Sequence, residues 1–361
     1  MQETINLNTP KKTAVTTPKV GIVIVNFNSW TDLNECLPYV LQSDYKNFEV
    51  IIVDNASTDG SAEKIRKQYS AQTTLIVNTV NTGCGAGNNT GIRHALKNGS
   101  RYVFLLNADT KINIDTISKL VAAAEADPKI GMISPVINYY NSPDTIQYCG
   151  SAINWSNFTI QHFRKISDFE KANPEDIWLW GTMLLVKAEL LNKIGLYNEN
   201  FFVYCEDQEL GMRARKAGYA QVILKNHTAY HKSHAFDTEG IKGLPLYFFF
   251  YITRNEYLLW VENMGVWQKM RFNIKYLDQV LDSVGHCKDE GLVDAINAHL
   301  DGLYCGWTKK YRKWDPNSPS QKMPAWLKKI LVAHPYLISD ILNLRIKKII
   351  NKTFKKNPPS H

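Results

Sequence analysis

Long apolar runs are absent from this 361-residue sequence. A membrane-spanning helix needs about 18 or more consecutive apolar residues. The best candidate, Leu244 to Trp260, is interrupted by a proline, an arginine, an asparagine and a glutamate, so no membrane span is expected. Residues 1–18 are polar and lack the apolar segment of a signal peptide, and the sequence predicts a disordered leader there.

Paired cysteines are also absent, because the six cysteines are widely spaced and no two form a C-x-x-C pair. This spacing argues against a zinc knuckle or a disulfide framework and favours the reducing cytoplasm. The sequence contains no Walker A motif, and its glycines from Gly83 to Gly91 lack the order of a dinucleotide-binding fingerprint. Neither a P-loop nor a nicotinamide-dinucleotide site is therefore predicted.

Positive charge is concentrated at the C-terminal end. Residues 309–361 contain 13 Lys and Arg against 2 Asp and Glu, a net charge of +11, while the whole chain has +8 and the remainder is near −3. In residues 315–361 these basic residues alternate with apolar ones, a pattern typical of an amphipathic helix on an anionic membrane. A helix that packs on the protein with its lysines in solvent fits as well. Nucleic acid is disfavoured, because no nucleic-acid motif accompanies the charge.

Short β-branched runs alternate with helical patterns through the first third of the chain. The predicted strands are Val20–Phe27, Glu49–Val53, Thr73–Val77 and Tyr102–Leu106. This alternation predicts βαβ units and an α/β fold with a mostly parallel central sheet flanked by helices.

The pattern loosens after Gly131. Residues 146–177 are irregular and polar, Val222 to Leu224 is predicted to be the last strand, and helices are predicted from about Gly240 onward. The sequence therefore predicts an α/β domain at 19–240, a helical extension at 241–314 and a basic amphipathic tail at 315–361, joined by a linker that begins at Asp315.

Polar residues follow these strands at their carboxyl ends, where ligands bind in parallel sheets. Asp54 follows the second strand, and Asn107 and Asp109 follow the fourth. Carboxylates suit a hard cation such as Mg²⁺ or Mn²⁺, although an acid there can serve only to cap the next helix. The glycines from Gly83 to Gly91 lead into a helix and allow the backbone to approach a phosphate.

A second acidic site is predicted at Glu206 and Asp207, where a helix begins after an apolar, aromatic run. Apolar walls would raise the pKa of a carboxyl group and strengthen it as a base. Acids in the first turn of a helix are also favoured by the helix dipole alone. Among the histidines at 227, 231 and 234, His231 is predicted to be a metal ligand, and the alternative is a structural or surface histidine.

Taken together, these segments resemble the family 2 glycosyltransferases, in particular the bacterial rhamnosyltransferase-like branch. The resemblance covers roughly residues 19–265 and depends on several motifs that occur in the family's order. The matching motifs are Val23–Asn28, Val53–Ser61, Asn81–Asn89, Leu105–Thr110, Trp180–Thr182, Phe202–Asp207, His231 and Tyr251–Asn255.

The resemblance implies a GT-A fold and an inverting, single-displacement sugar transfer from a nucleoside-diphosphate donor. Asp207 would be the general base with Glu206 beside it, and Asp109 would ligate a Mg²⁺ or Mn²⁺ ion, with His231 as a second contact to the metal or the diphosphate. The resemblance places the pyrimidine ring on Asp54. The residues that it assigns to the nucleotide donor are Asn26, Asp54, Gly83, Asn88 and Asn107. Because Asn107 replaces the first acid of the family's DxD motif, the site has one negative charge fewer.

The donor implied by the branch is dTDP-rhamnose or a UDP-sugar, and the acceptor is a glycan or lipid-linked glycan in cell-surface polysaccharide synthesis. The tail predicts a peripheral location on the cytoplasmic face of the membrane, and a second copy of the chain is a candidate partner in a homodimer. Two alternatives stay open. A metal-dependent nucleotidyltransferase would share the strand-end acids, but no basic glycine-rich loop lies near the first strand. A non-catalytic sugar-binding module would have no use for Glu206 and Asp207.

Overall fold

A computed structural model of the chain describes residues 17–232, 240–311, 313–333 and 335. The first sixteen residues of the predicted leader, His234 and most of the predicted tail lie outside these ranges. Within them, no helix is both long enough and apolar enough to cross a bilayer.

The strands of the described chain are numbered β1 to β12 in chain order. They are β1 Val20–Asn26, β2 Phe48–Asp54, β3 Thr73–Val77, β4 Tyr102–Leu106, β5 Thr110–Lys111, β6 Ile130–Tyr139, β7 Ser142–Tyr148, β8 Ser151–Asn154, β9 Thr159–His162, β10 Ile177–Trp178, β11 Met183–Lys187 and β12 Ala220–His231.

The α-helices are numbered in the same way. They are α1 Trp30–Leu41, α2 Ser61–Tyr69, α3 Cys84–Lys97, α4 Thr116–Ala126, α5 Ile166–Phe169, α6 Ala188–Ile194, α7 Glu206–Lys216, α8 Leu246–Glu262, α9 Val266–Asp289, α10 Val293–Trp307 and α11 Ala325–Ala333.

Nine of the described strands form one mixed sheet in the order β3-β2-β1-β4-β11-β6-β12-β5, with β7 paired to β6. The first four neighbours in this order are parallel, as the βαβ pattern predicts, and the runs of β1, β2 and β4 are largely buried. β11 runs antiparallel to both β4 and β6. Because parallel strands end at a common edge, Asn26 at the end of β1 lies in register with Asp54 at the end of β2.

The second half of the α/β domain contains more strand than the sequence pattern predicts. Residues 146–177, expected to be irregular, contain β8 and β9, which form a small antiparallel sheet with β10. β12 extends to His231, well beyond the predicted end at Leu224. The register of β12 against β6 shifts between Leu224 and Thr228, and the exposed polar pair Lys225 and Asn226 interrupts the apolar alternation there. This irregularity hides the strand from a periodicity argument.

The predicted helical extension is confirmed by α8, α9 and α10, which share a second apolar core with the α/β domain. Trp178 and Phe201 of the α/β domain belong to this core together with Phe250, Phe272 and Leu300 of the three helices. Since burial of large apolar side chains is the main stabilising force, this shared core holds the extension against the α/β domain.

The return segment, residues 313–323, was expected to include a linker, but it packs on the helical extension. The buried side chain of Gln321 donates from Nε2 to the carbonyl of Lys313 at 2.8 Å and accepts at Oε1 from the N–H of Asp315 at 2.8 Å. Met323 is buried in the second core. The segment therefore has a fixed conformation on the protein surface.

α11 packs on the extension with one side and exposes apolar residues on the other. Leu331 is buried against the extension, and Lys328 forms an ion pair with Asp301 of α10 at 2.7 Å. On the outer side, Trp326 is 67% exposed and Ile330 is 54% exposed. The tail's contact with a membrane stays a prediction.

Candidate active site

The glycine turn before α3 is organised by Asn55, the residue that follows β2. Its Nδ2 donates to Asn81 Oδ1 at 3.1 Å and to the carbonyl of Gly83 at 3.0 Å, while its Oδ1 accepts from the N–H and the hydroxyl of Thr82. Gly83 has a φ of +89°, and a Cβ there would lie 2.3 Å from the carbonyl oxygen of Phe202. Only glycine therefore fits at this close approach.

Asn26 and Asp54 form a buried pair directly behind this turn. Asn26 Nδ2 donates to Asp54 Oδ2 at 2.9 Å, and the N–H of Ser57 donates to Asp54 Oδ1 at 2.9 Å. Asp54 is 1% exposed. Asn26 Oδ1 is buried and has no hydrogen-bond partner among the described residues. The role of these two residues in nucleotide binding stays a prediction, and Asn55 is the residue of this strand end that reaches the cavity described below.

The strand-end acid Asp109 lies beside His231 because β5 pairs antiparallel with the end of β12. In this pairing His231 is in register with Thr110, and its Nε2 lies 3.3 Å from Asp109 Oδ2. Its Nδ1 lies 2.9 Å from Oε1 of the buried Gln147. Because an amide oxygen only accepts, Nδ1 carries a proton toward Gln147, and Nε2 faces the carboxylate.

This pair fits a divalent cation. Two adjacent ligands at about 2.1 Å from one octahedral ion lie roughly 3 Å apart, close to the separation found here. A histidine whose other nitrogen donates to a fixed acceptor is the usual form of a metal-ligating imidazole. Among the described residues no group of three or more His, Cys, Asp or Glu is arranged to hold a metal. Two protein ligands would therefore leave the remaining positions to phosphate and water.

The loop before α7 carries the second acidic site and has an unusual backbone. Phe202, Tyr204 and Cys205 have positive φ values of 65°, 68° and 69°, a strained region for residues other than glycine. The buried Asn255 of α8 donates from Nδ2 to the carbonyls of Phe201, Val203 and Tyr204 at 2.8 to 2.9 Å.

Arg254, fully buried beside Asn255, supports the same loop. Its Nη2 donates to the carbonyls of Asn200 and Phe201 at 2.9 and 3.0 Å, and its Nε donates to Asn255 Oδ1. Two polar side chains of α8, Arg254 and Asn255, thus hold the loop that leads into α7.

Glu206 and Asp207 occupy the first turn of α7 in a desolvated setting. Burial raises the pKa of Glu206, and the negative charge of Asp207 raises it further. Burial also raises the pKa of Asp207, although the N–H groups of Gly181 and Gln208 donate to its carboxylate at 3.1 and 2.8 Å. Glu206 is 8% exposed, and its Oε2 has no hydrogen-bond partner among the described residues. A carboxylate with a raised pKa is a stronger base, as general base catalysis requires.

The segment from Trp180 to Thr182 connects the two acidic sites. The N–H of Gly181 donates to Asp207, and the carbonyl of Thr182 accepts from the N–H of Asn107 at 3.0 Å. The N–H of Cys84, at the start of α3, in turn donates to the carbonyl of Phe202 in the loop before α7 at 2.6 Å. The glycine turn, the strand end of β4 and the start of α7 therefore belong to one site.

A cavity of about 550 Å³ lies between the glycine turn, the end of β4 and the loop before α7, and Glu206 and Asp207 are not among its lining residues. Four of the nine predicted site residues line it, namely Gly83, Asn88, Asn107 and Asp109. Four further lining residues belong to the matching motifs but had no role assigned from the sequence, namely Asn55, Asn81, Phe202 and Tyr251. No sequence signal pointed to Asp32, Tyr247, Lys313 and Trp314, which also line the cavity. The two tyrosines come from α8 and the last two residues from the return segment, so the helical extension supplies part of the wall.

Comparison with known proteins identifies a matching family profile and several relatives. Residues 21–195 match the profile described as "Glycosyl transferase family 2". The chain is 25% identical over 244 residues to an N-acetylglucosaminyl-diphospho-decaprenol L-rhamnosyltransferase of Mycobacterium tuberculosis, which covers 61% of this chain and 78% of the relative. It is 26% identical over 234 residues to a low-salt glycan biosynthesis hexosyltransferase of Haloferax volcanii, covering 61% and 70% of the two chains.

Solved structures share the fold at low identity. A mannosyltransferase of Pyrobaculum calidifontis, solved with GDP-mannose and Mn²⁺, matches with a TM-score of 0.53 at 17% identity over 91% of this chain and 88% of its own. GalNAc-T7, solved with UDP, GalNAc and Mn²⁺, matches with a TM-score of 0.57 at 18% identity over 74% of this chain and 51% of its own. These likenesses confirm the expected GT-A fold.

Proposed function

The chain belongs to glycosyltransferase family 2, and on that premise we propose that it transfers a sugar from a nucleoside-diphosphate donor to a glycan or lipid-linked acceptor with inversion at the anomeric carbon. The observation that carries this proposal is the connection of the desolvated Asp207 to Asn107 through the segment from Gly181 to Thr182. It brings a base and a donor-side strand end to one site, which a sugar-binding module does not need.

Asp207 is the general base in this proposal. Its carboxylate removes the proton of the acceptor hydroxyl, which attacks the anomeric carbon from the face opposite the leaving diphosphate. The new bond is formed between the acceptor oxygen and that carbon, and the bond from carbon to phosphate oxygen breaks. One carboxylate is sufficient, because the nucleoside diphosphate leaves without needing a proton. Glu206 keeps the surroundings of Asp207 desolvated and acidic.

Asp109 and His231 hold a divalent cation, Mg²⁺ or Mn²⁺, in this proposal, and Gln147 orients the imidazole. Such an ion, when bound, neutralises the charge that develops on the diphosphate. The residues Asn26, Asp54, Gly83, Asn88 and Asn107 place the nucleotide, with Asp54 assigned to the pyrimidine ring. The proposed donors are dTDP-rhamnose and, next to it, UDP-sugars, supported by the rhamnosyltransferase among the relatives.

We also propose that α11 rests on an anionic membrane from the cytoplasmic side. The exposed Trp326 and Ile330 lie one helical turn apart, next to the exposed Lys329. In co-sedimentation with vesicles that contain anionic lipid, replacing Trp326 and Ile330 with serine should release the full chain. Trp267, which is 78% exposed on α9, is the matched control. Equal binding by wild type and the α11 variant would contradict this contact. A homodimer stays a prediction.

The proposed function is tested by incubating the purified chain with a panel of nucleotide sugars and lipid-linked acceptors, with and without Mn²⁺. The panel includes dTDP-rhamnose, UDP-glucose, UDP-GlcNAc and GDP-mannose, and released nucleoside diphosphate is measured. We expect Mn²⁺-dependent release with one donor. Release of pyrophosphate from a nucleoside triphosphate instead would identify a nucleotidyltransferase.

A further inference from the structure

The return segment contributes a positive charge to the cavity that holds Asn107 and Asp109. Lys313 and Trp314 both line this cavity, although they lie more than a hundred residues beyond the matched family profile. The sequence pattern placed Lys313 in the basic C-terminal stretch, with no role in the site. The fold brings it back because α8, α9 and α10 return the chain to the α/β domain.

Backbone hydrogen bonds on both sides of Lys313 fix its position. The N–H of Trp314 donates to the hydroxyl of Tyr251 at 2.8 Å, and the carbonyl of Lys313 accepts from the buried Gln321 at 2.8 Å. The indole of Trp314 stacks on Phe250 with a centroid separation of 5.6 Å. The side chain of Lys313 therefore starts from a backbone that is ordered without any ligand.

The ammonium of Lys313 lies over an aromatic ring that also lines the cavity. It sits 5.3 Å from the ring centre of Phe202. The carbonyl of Phe202 accepts from the N–H of Cys84, the first residue of α3. Lys313 is therefore close to the N-terminus of a 14-residue helix, where the helix dipole is positive. No carboxylate of the described residues forms a salt bridge with Lys313, although Asp32 and Asp109 line the same cavity.

We propose that Lys313 binds the diphosphate of the nucleotide donor and stabilises it as it leaves. This inference rests on the proposed function and names a further residue of the same site. A departing nucleoside diphosphate carries more negative charge than one divalent ion neutralises. The site has only two candidate metal ligands, Asp109 and His231, and the nearby Asn107 is neutral. A lysine supplies a point charge that phosphate oxygens accept well.

The test compares the affinities of UDP, dTDP, uridine and thymidine for the purified chain by calorimetry. Lys313→Ala should weaken binding of the preferred diphosphate by roughly 10- to 100-fold, as expected for one charged hydrogen bond. The affinity for the matching nucleoside should stay within about twofold, because the nucleoside lacks the phosphates. Lys313→Arg should retain most of the affinity. Lys322→Ala is the matched control, since Lys322 is exposed on the same segment and does not line the cavity.

Unchanged diphosphate affinity in Lys313→Ala, or an equal loss for diphosphate and nucleoside, would overturn the inference. Unchanged affinity would mean that Lys313 does not contact the diphosphate. An equal loss would mean that Lys313 acts only by packing on Phe202. Both results leave the glycosyltransferase proposal standing if wild type still releases nucleoside diphosphate from a donor. Failure of the proposed function is recognised separately, by wild type that turns over no nucleotide sugar.

Discussion

Replacing Asn255 with alanine tests how the helical extension controls the acidic site. This side chain is fully buried and donates to three carbonyls of the loop that precedes Glu206. Alanine removes all three hydrogen bonds and leaves the carbonyls without those donors. The loop itself is strained, with positive φ values at Phe202, Tyr204 and Cys205.

The expected magnitude follows from these contacts. The carbonyls of Val203 and Tyr204 lose their side-chain donor at a cost of about 1–3 kcal/mol each, while the carbonyl of Phe201 still accepts from Arg254. Each positive φ of this kind stores about 1–3 kcal/mol that the contacts must offset. Because neighbouring contacts are not additive, we expect a loss of roughly 2–4 kcal/mol in the free energy of unfolding. A displaced base loses its geometry, so kcat/KM should fall by roughly 100-fold.

Thermal unfolding and nucleoside-diphosphate release measure the two effects. Asn263→Ala is the matched control, because Asn263 directly follows the same helix and its hydrogen bond to α7 is with Lys216, at the end of α7 that is far from Asp207. It should cost little activity. Turnover of Asn255→Ala within about twofold of wild type would refute the reasoning, because a loop freed from three hydrogen bonds could not then be what positions Asp207.

Three further predictions concern the glycine turn, the base and the metal. Gly83→Ala should weaken UDP or dTDP binding by at least about tenfold, since the new Cβ would meet the carbonyl of Phe202. Gly99→Ala, with a φ of +76° and open space around it, should not, and equal effects would contradict the packing argument. The pH profile of kcat/KM should fall below about pH 6, because burial raises the pKa of Asp207 to about 6 and only its deprotonated form accepts a proton. An acid limb near the ordinary value of 3.8 would contradict this assignment. In initial-rate titrations, Gln147→Ala should raise the Mn²⁺ concentration for half-maximal activity by roughly 10- to 100-fold, because the imidazole of His231 loses its hydrogen-bond partner. An unchanged titration would contradict the assignment of His231 to the metal site.

The first half of the fold could be predicted from the sequence because its signals are local. The parallel strands β1 to β4 are short β-branched runs, and the polar residues at their ends follow directly along the chain. The acidic pair at 206 and 207 could be found in the same way, since a helix begins there after an aromatic run. In each case the residues that determine the feature are near one another in sequence.

The rest depends on contacts between distant residues. β12 is continuous only because β6 and β5 pair with it across the bulge that follows Leu224. Lys313 reaches the cavity through Tyr251, which is 62 residues earlier in the chain, and Asn55 reaches the glycine turn past the end of β3. Periodicity carries no information about such pairs, so their role emerges only from the three-dimensional arrangement.

The central claim is that Asp207 is the base of a sugar transfer. The most direct measurement compares wild type and Asp207→Asn for both donor affinity and single-turnover transfer, with the donor that the panel identifies. The account predicts that transfer falls by roughly 100- to 10,000-fold, as loss of a general base does, while donor affinity stays within about threefold. Transfer by Asp207→Asn at a rate close to that of wild type would contradict it.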